Sequence, residues 1–205
     1  MALFDEVEVI LLRYVYLCIY QRILIPKLIM YYVIQVQSGK EDKVIEEIKS
    51  HKDHDPSFDI FTPYRTECRK YKDGFKDVKV KCFPGYIFAE TNDVKQLITE
   101  LYWAPDYARL LGKEKLNDNY LPLSEEESRV IDILYNAEND RTTPIMDIEV
   151  LEGDRIRVVS GPLMGQESVV KKVDLHKRRI KITTTFAGRG VEAYVAINIV
   201  TKTNI

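Results

Sequence analysis

The stretch EGDRIRVVSGPLMGQESVVKKVD, residues 152–174, reads as two alternating apolar runs flanking a loop built on Gly161, Pro162 and Gly165. Period-two alternation predicts strands, and glycine with proline predicts the turn between them. A lone hairpin is marginal in water and too small to hold a catalytic centre. It must therefore be part of a larger β unit. Downstream, further strand patterns fall at 179–185 and 191–195, with a short tail at 197–201. Five short strands in under 60 residues imply a small closed barrel over 148–205, because closure removes exposed sheet edges.

Upstream the periodicity changes. Tyr32, Ile34 and Val36 alternate on one face of a strand starting near Met30. Ser38 stands three residues before Glu41, the spacing of a capping box, and Val44, Ile45 and Ile48 then follow on one side of a helix. Residues 58–63 read as a strand, and RTECRKYKDGFKDVKVKC as a long basic hairpin turning at Asp73-Gly74. That turn pairs Cys68 with Lys79 and Cys82 with Arg65. FPGYIFAE is a further core strand, with Tyr86 and Phe88 on one face. Val94, Leu97, Ile98 and Leu101 follow helical spacing, YARLLG is a short returning strand, and SEEE from Ser124 starts a last helix with Val130, Ile131 and Leu134 inward. The order β-α-β-β-β-α-β predicts an α+β sandwich, an antiparallel sheet with helices packed on it, over residues 30–135. Residues 136–147 are polar, acidic and aperiodic, and read as a linker.

The formal net charge of −2 conceals segregation. Residues 121–147 hold two basic and seven acidic side chains, net −5, whereas 148–205 hold ten basic and six acidic, net +4. Residues 69–81 add a second basic segment, six against two. Local positive segments suit nucleic acid even in a near-neutral chain. Three cysteines form neither a disulfide framework nor a metal set. His51 and His54 in HKDHD have no third ligand nearby in sequence and read as a solvated helix end. No phosphate-binding loop, dinucleotide fingerprint, nucleophile elbow or HExxH is present, so catalysis, metal and cofactor are not expected. The apolar run in residues 1–29 is broken by Arg13, Gln21, Arg22 and Lys27, short of the ~18 residues a membrane span requires. It reads as an extension upstream of a start at Met30, with an appended amphipathic helix as the alternative.

GDRIRVVSGPLMGQESVVKKVD resembles the KOW motif, and HKRRIKITTTFAGRGVEAYV resembles the far half of a NusG-type KOW barrel. MYYVIQVQSGKE, FPGYIFAE and YARLLG are similar to the amino-terminal (NGN) domain of NusG-type transcription factors. The resemblance runs in order from Met30 to the end. SGPL and KVDLHKRR look most like the LoaP antiterminator subfamily. Tyr31 departs from the usual Trp, and Gln166 and Ser168 depart from the usual loop residues.

The resemblance implies an NGN-like domain joined by the linker to an all-β KOW barrel, in a cytoplasmic monomer with no membrane contact. It implies docking to bacterial RNA polymerase through an aromatic surface at Phe83, Tyr86 and Phe88, with Tyr32 as a weaker neighbour. From the residues alone the same stripe reads as core. Lys171, Lys172, His176, Lys177, Arg178, Arg179 and Arg189 are the candidate contacts to nascent RNA, against the plain reading of a solvated basic face. Non-template single-stranded DNA is a further candidate partner for residues 69–81 and for Lys40 and Lys43. The implied function is antitermination, the read-through of terminators. The alternatives are a housekeeping NusG-like factor whose barrel binds ribosomal or termination proteins, and an RNA-modifying or hydrolytic enzyme with a KOW accessory.

Overall fold

The computed structural model describes residues 30–55, 58–105, 108–114, 119–152 and 155–202. The expected upstream extension, residues 1–29, lies outside them. Among the described residues no helix is long and apolar enough to cross a membrane.

The front half builds on β1 (Met30–Gln35), a run of aromatic and β-branched residues that suits a pleated, buried strand. It pairs antiparallel with β5 (Tyr86–Thr91) on one side and β6 (Arg109–Leu110) on the other. β2 (Asp59–Phe61) completes the order β2-β5-β1-β6. One face packs Tyr32, Ile34, Ile87 and Ala89 against Val44 and Ile48 of α1 (Glu41–Lys49) and Leu97 of α2 (Val94–Leu101). The other face is buried as well. Tyr31, Val33, Phe61 and Phe88 join Ile131 and Leu134 of α3 (Glu125–Leu134) in a second core.

The predicted capping box of α3 forms, with Ser124 Oγ accepting from Glu127 N and Glu127 Oε2 accepting from Ser124 N. The one expected at α1 does not. Lys40 occupies the N-cap position without a side-chain cap, and Glu41 turns inward. Its buried carboxylate accepts from Gly39 N (3.0 Å), Gly85 N (2.6 Å) and Lys81 Nζ (2.8 Å). Burial opposes the charge, but these donors outweigh it and lower the carboxyl to about 2. A carboxylate depressed from the ordinary 4.5 stabilises the fold above that value and loses the contribution as pH falls towards 2. Glu41→Gln is therefore expected to cost about 2–4 kcal/mol in urea unfolding at pH 7. The difference from the parent should narrow between about pH 5 and pH 2.

The basic hairpin, β3 (Tyr64–Tyr71) and β4 (Gly74–Lys81), forms two residues out of the expected register. Tyr71 pairs with Gly74 and Cys68 with Asp77, so the turn residues are Lys72 and Asp73. An Asp-Gly turn of the primed type needs positive φ at both positions, and here only Gly74, at +126°, has one.

Residues 136–147 are not a structureless linker. A 3-10 turn (Ala137–Asn139) leads to β7 (Thr142–Thr143), which pairs parallel with β3. Arg141 is buried between Asp59 and Glu90, over the Phe61 ring at 4.0 Å. Thr143 Oγ1 donates to Leu134 O at 2.7 Å. The segment looked like linker because the carboxylates that neutralise Arg141 lie 51 and 82 residues away. Only Pro144 and Ile145 separate β7 from β8 (Met146–Val150), so the two halves are closely coupled.

The rear half is a five-stranded sheet in the order β10-β11-β12-β8-β9, comprising β8, β9 (Ile156–Ser160), β10 (Val170–Asp174), β11 (Arg179–Phe186) and β12 (Arg189–Lys202). β12 is one long strand where two were expected. It runs parallel to β8, and the remaining ladders are antiparallel. Gly161 is required in the loop after β9. Its φ is +114°, and an added Cβ would lie 2.6 Å from Cγ of buried Met146.

Candidate functional site

Phe83, Tyr86 and Phe88 converge on the front sheet face turned towards the rear half. β5 supplies Tyr86 and Phe88 on one side of its pleat, and the connection before it supplies Phe83. Phe61 of the adjacent strand stacks on Phe88 at 5.9 Å, and Tyr31 meets Phe61 edge-on at 6.3 Å. Tyr32 does not join them, because it points to the opposite face with Ile34 and Ile87.

The cluster is covered by the chain's own rear half. The β11–β12 turn, with Ala187 at φ +50° and Gly188 at +76°, presents Phe186 at the hairpin tip. Phe186 sits 5.1 Å, edge-on, from both Phe83 and Phe88. Phe83 and Phe88 are consequently buried, and Tyr86 is half-buried. Polar contacts border the junction. Arg129 of α3 donates to Gln166 Oε1 (3.0 Å), and Arg189 reaches Gln35 Oε1 (3.5 Å). Gln166, unusual by resemblance, thus has a partner across the junction. Within the front half, the Tyr31 hydroxyl donates to Asp132 of α3 at 2.7 Å. Burial, then that acidic partner, raises its pKa.

The basic candidates divide into three places. Lys172, Lys177 and Arg179 surround one depression of about 190 Å³ together with Asp174, Lys181 and Tyr194. Lys177, Arg178 and Arg179 also border a cleft of about 530 Å³ whose opposite wall is Arg65, Glu67, Cys68 and Asp77 of the β3–β4 hairpin. Arg179 lies over the Tyr194 ring at 4.4 Å, and His176 is exposed in the same turn. Lys171 flanks a separate cleft against α3. Arg189 is at the far end of β12, beside Gln35.

Sequence reasoning missed Tyr31, Phe61 and Phe186 in the aromatic cluster, and Lys181 and Tyr194 beside the basic one. Tyr31 carried a signal, since β1 is apolar in both of its alternating registers. Phe61 and Phe186 carried none without the strand pairing.

HKDHD is not a solvated helix end. His51 stacks on Trp103 at 3.9 Å, and His54 Nδ1 lies 2.8 Å from Oε2 of buried Glu100. No group of three or more candidate metal ligands occurs among the described residues.

An α+β front domain with an aromatic sheet face is joined to a β-rich region with a basic end. The chain belongs to the NusG family: the model for "Transcription termination factor nusG" matches residues 30–151. A Streptococcus pyogenes serotype M1 protein, "Transcription termination/antitermination protein NusG", is 25% identical over 176 residues, covering 82% of this chain and 92% of the relative. The Helicobacter pylori strain 26695 protein of the same description is 28% identical over 165 residues, covering 78% and 90%. A solved structure concerning domain interaction in Thermotoga maritima NusG covers 82% of this chain and 93% of its own, with a TM-score of 0.39 and 20% identity.

Proposed function

We propose that this NusG-type factor docks on bacterial RNA polymerase through the aromatic face around Phe83, Tyr86 and Phe88. Its rear half, read as a KOW barrel, then holds nascent RNA through Lys172, Lys177, Arg178 and Arg179. The consequence is read-through of terminators, in the manner of the LoaP subfamily. The observation that carries this reading is the seat of Phe186. An apolar side chain fills an aromatic depression on the front sheet, so the depression has the shape and chemistry to accept one from a partner. Polymerase docking there requires Phe186 to leave. Tyr32 supports the sheet from behind.

Tyr86→Ala tests the docking face, because Tyr86 is half-buried and its loss should spare the fold. Aromatic anchors contribute about 2 kcal/mol or more, so polymerase affinity should fall roughly 30-fold with RNA binding intact. Unchanged polymerase affinity in the folded variant would return these aromatics to a purely structural role.

A second reading, a housekeeping factor whose rear half binds a protein, is favoured by one feature. Met164 stands 63% exposed in the loop of residues 161–165, and a flexible apolar side chain suits a protein contact. Met164→Lys separates the two. Under the RNA reading it should leave terminator read-through by purified polymerase unchanged with or without an added ribosomal or termination protein, whereas under the protein reading it should abolish the effect of that added protein.

A further inference from the structure

The β3–β4 hairpin and the β10–β11 turn face each other across the cleft of about 530 Å³, a volume within the ~300–1,000 Å³ of small-molecule sites. Its charges are sorted by wall. On the rear wall stand Lys177, Arg178 and Arg179, and on the front wall Asp77 of β4. Arg65 and Glu67, also on the front wall, cancel each other through bonds of 2.9 and 2.6 Å. Asp147 of β8 lines the cleft as well, its carboxylate accepting from Asn198 Nδ2 at 3.0 Å. Among the described residues no ion pair or side-chain hydrogen bond holds Asp77, Lys177 or Arg178. Arg179 is held in place, its guanidinium 4.4 Å over the Tyr194 ring. Arg178 takes a φ of +47°, a left-handed conformation that ordinarily goes to glycine or asparagine. Such positions gather at ligand clamps.

We infer that this cleft binds a free guanine nucleotide, with its phosphates on Lys177 and Arg178 and its base edge on Asp77. Opposite charges on facing walls call for a ligand that is anionic at one end and a hydrogen-bond donor at the other. Inorganic phosphate satisfies only the rear wall, and a polyamine only the front. An ionised carboxylate is an acceptor with two oxygens. Guanine offers it two neighbouring donors, N1–H and the N2 amino group. Uracil offers a single N–H between two carbonyls, and the amino group of adenine adjoins a bare ring nitrogen. The Arg179 guanidinium, lying over Tyr194, adds a planar group of the kind on which bases stack. The site shares two cations with the proposed RNA contact, but Asp77 and the front wall belong neither to that contact nor to the aromatic face. Because its walls come from both halves, bound nucleotide favours the packed arrangement. On the docking reading proposed above, it therefore opposes polymerase, and polymerase opposes it by the same factor.

The test uses the intact chain carrying Cys18→Ser. Cys68 is exposed on the front wall and Cys82 is buried, so alkylation of Cys68 by iodoacetamide reports occupancy of the cleft. Millimolar GDP is expected to slow alkylation about tenfold, as a ligand does at roughly ten times its Kd. UDP, ADP and pyrophosphate should slow it little. Asp77→Asn should raise the GDP concentration required roughly tenfold, the loss of one charge-assisted bond, and leave RNA affinity unchanged. Asp77 is exposed, so folding is not at issue. Lys177→Ala/Arg178→Ala should raise the required concentration at least as far. Equal protection by GDP and pyrophosphate, or by GDP in the parent and Asp77→Asn, would overturn the guanine site. Absence of protection by millimolar GDP would overturn the cleft as a ligand site. The dinucleotide GpU protecting at lower concentration than GDP would give the cleft to RNA instead. Alkylation involves no polymerase. Protection by GDP with unchanged polymerase affinity would therefore uphold the site and count against the docking face.

Discussion

Phe186→Ala is expected to raise the apparent affinity for RNA polymerase roughly 10–100-fold. In the packed arrangement Phe186 contacts both Phe83 and Phe88, so under the proposed docking polymerase must wait for the exposed state. Apparent affinity scales with the fraction of chains that are competent, so weakening the cover raises it directly. Removing a buried phenyl side chain costs about 3–5 kcal/mol at the contact, enough to move that fraction by one or two powers of ten. Phe186→Leu, which keeps apolar contact but loses the edge-on rings, should fall between Ala and the parent. The measurement is polymerase titration by each variant, with a thermal melt confirming that the rear half remains folded. The converse variant joins Gln35→Cys and Arg189→Cys through a short thiol-reactive linker, in a chain lacking its other reactive thiols. Those two side chains already meet at the junction, so the tethered form should lose polymerase binding and regain it when the linker is cleaved. Equal affinity of parent and Phe186→Ala would show that polymerase does not use this face.

RNA binding by the intact chain should fall about 50–150-fold between 50 and 200 mM salt. This follows if Lys172, Lys177, Arg178 and Arg179 together neutralise about four phosphates, at a slope of ~0.7–0.9 per contact. All four are exposed or half-buried around the β10–β11 turn, and none is held by an ion pair closer than the 4.0 Å of Arg179 with Asp174. Their charge is therefore free to meet a polyanion. Lys177→Glu/Arg178→Glu should flatten the slope and abolish most of the affinity. Lys181 is a weaker candidate despite its place in the same depression, because Glu192 already holds it. Arg189→Ala should leave RNA affinity nearly unchanged, since that residue lies at the other end of β12. A flat salt response of the parent would point to a protein partner.

Much of the architecture was legible along the chain. The alternation of β1, the helical spacing of α2, the capping box of α3 and the glycine loop at 161–165 are local signals, and local sterics and hydrogen bonds settle them. Charge segregation was equally visible, because it needs only counting. The hairpin existed as expected, yet its register shifted by two residues, since Gly74 alone takes positive φ and the turn closes one residue earlier. Ser38 and Glu41 show the same limit. Their spacing permits a capping box, but Glu41 finds better donors in Gly85 and Lys81, more than 40 positions away or close to it.

What distance along the chain concealed, packing decided. Residues 136–147 read as linker because eight of the twelve are polar and no periodicity orders the rest; Arg141 becomes a buried anchor only once β2 and β5 bring Asp59 and Glu90 together. Phe83 and Phe88 declared themselves aromatic and strand-borne, which fits a core and a binding face equally well. Whether they are open or closed depends on Phe186, about a hundred residues later, and no periodicity reports a contact of that span. Residue type and local spacing thus specify the elements and the chemistry they carry. Which faces meet is specified by tertiary packing, because burial free energy rewards any complementary apolar surface regardless of its separation in sequence.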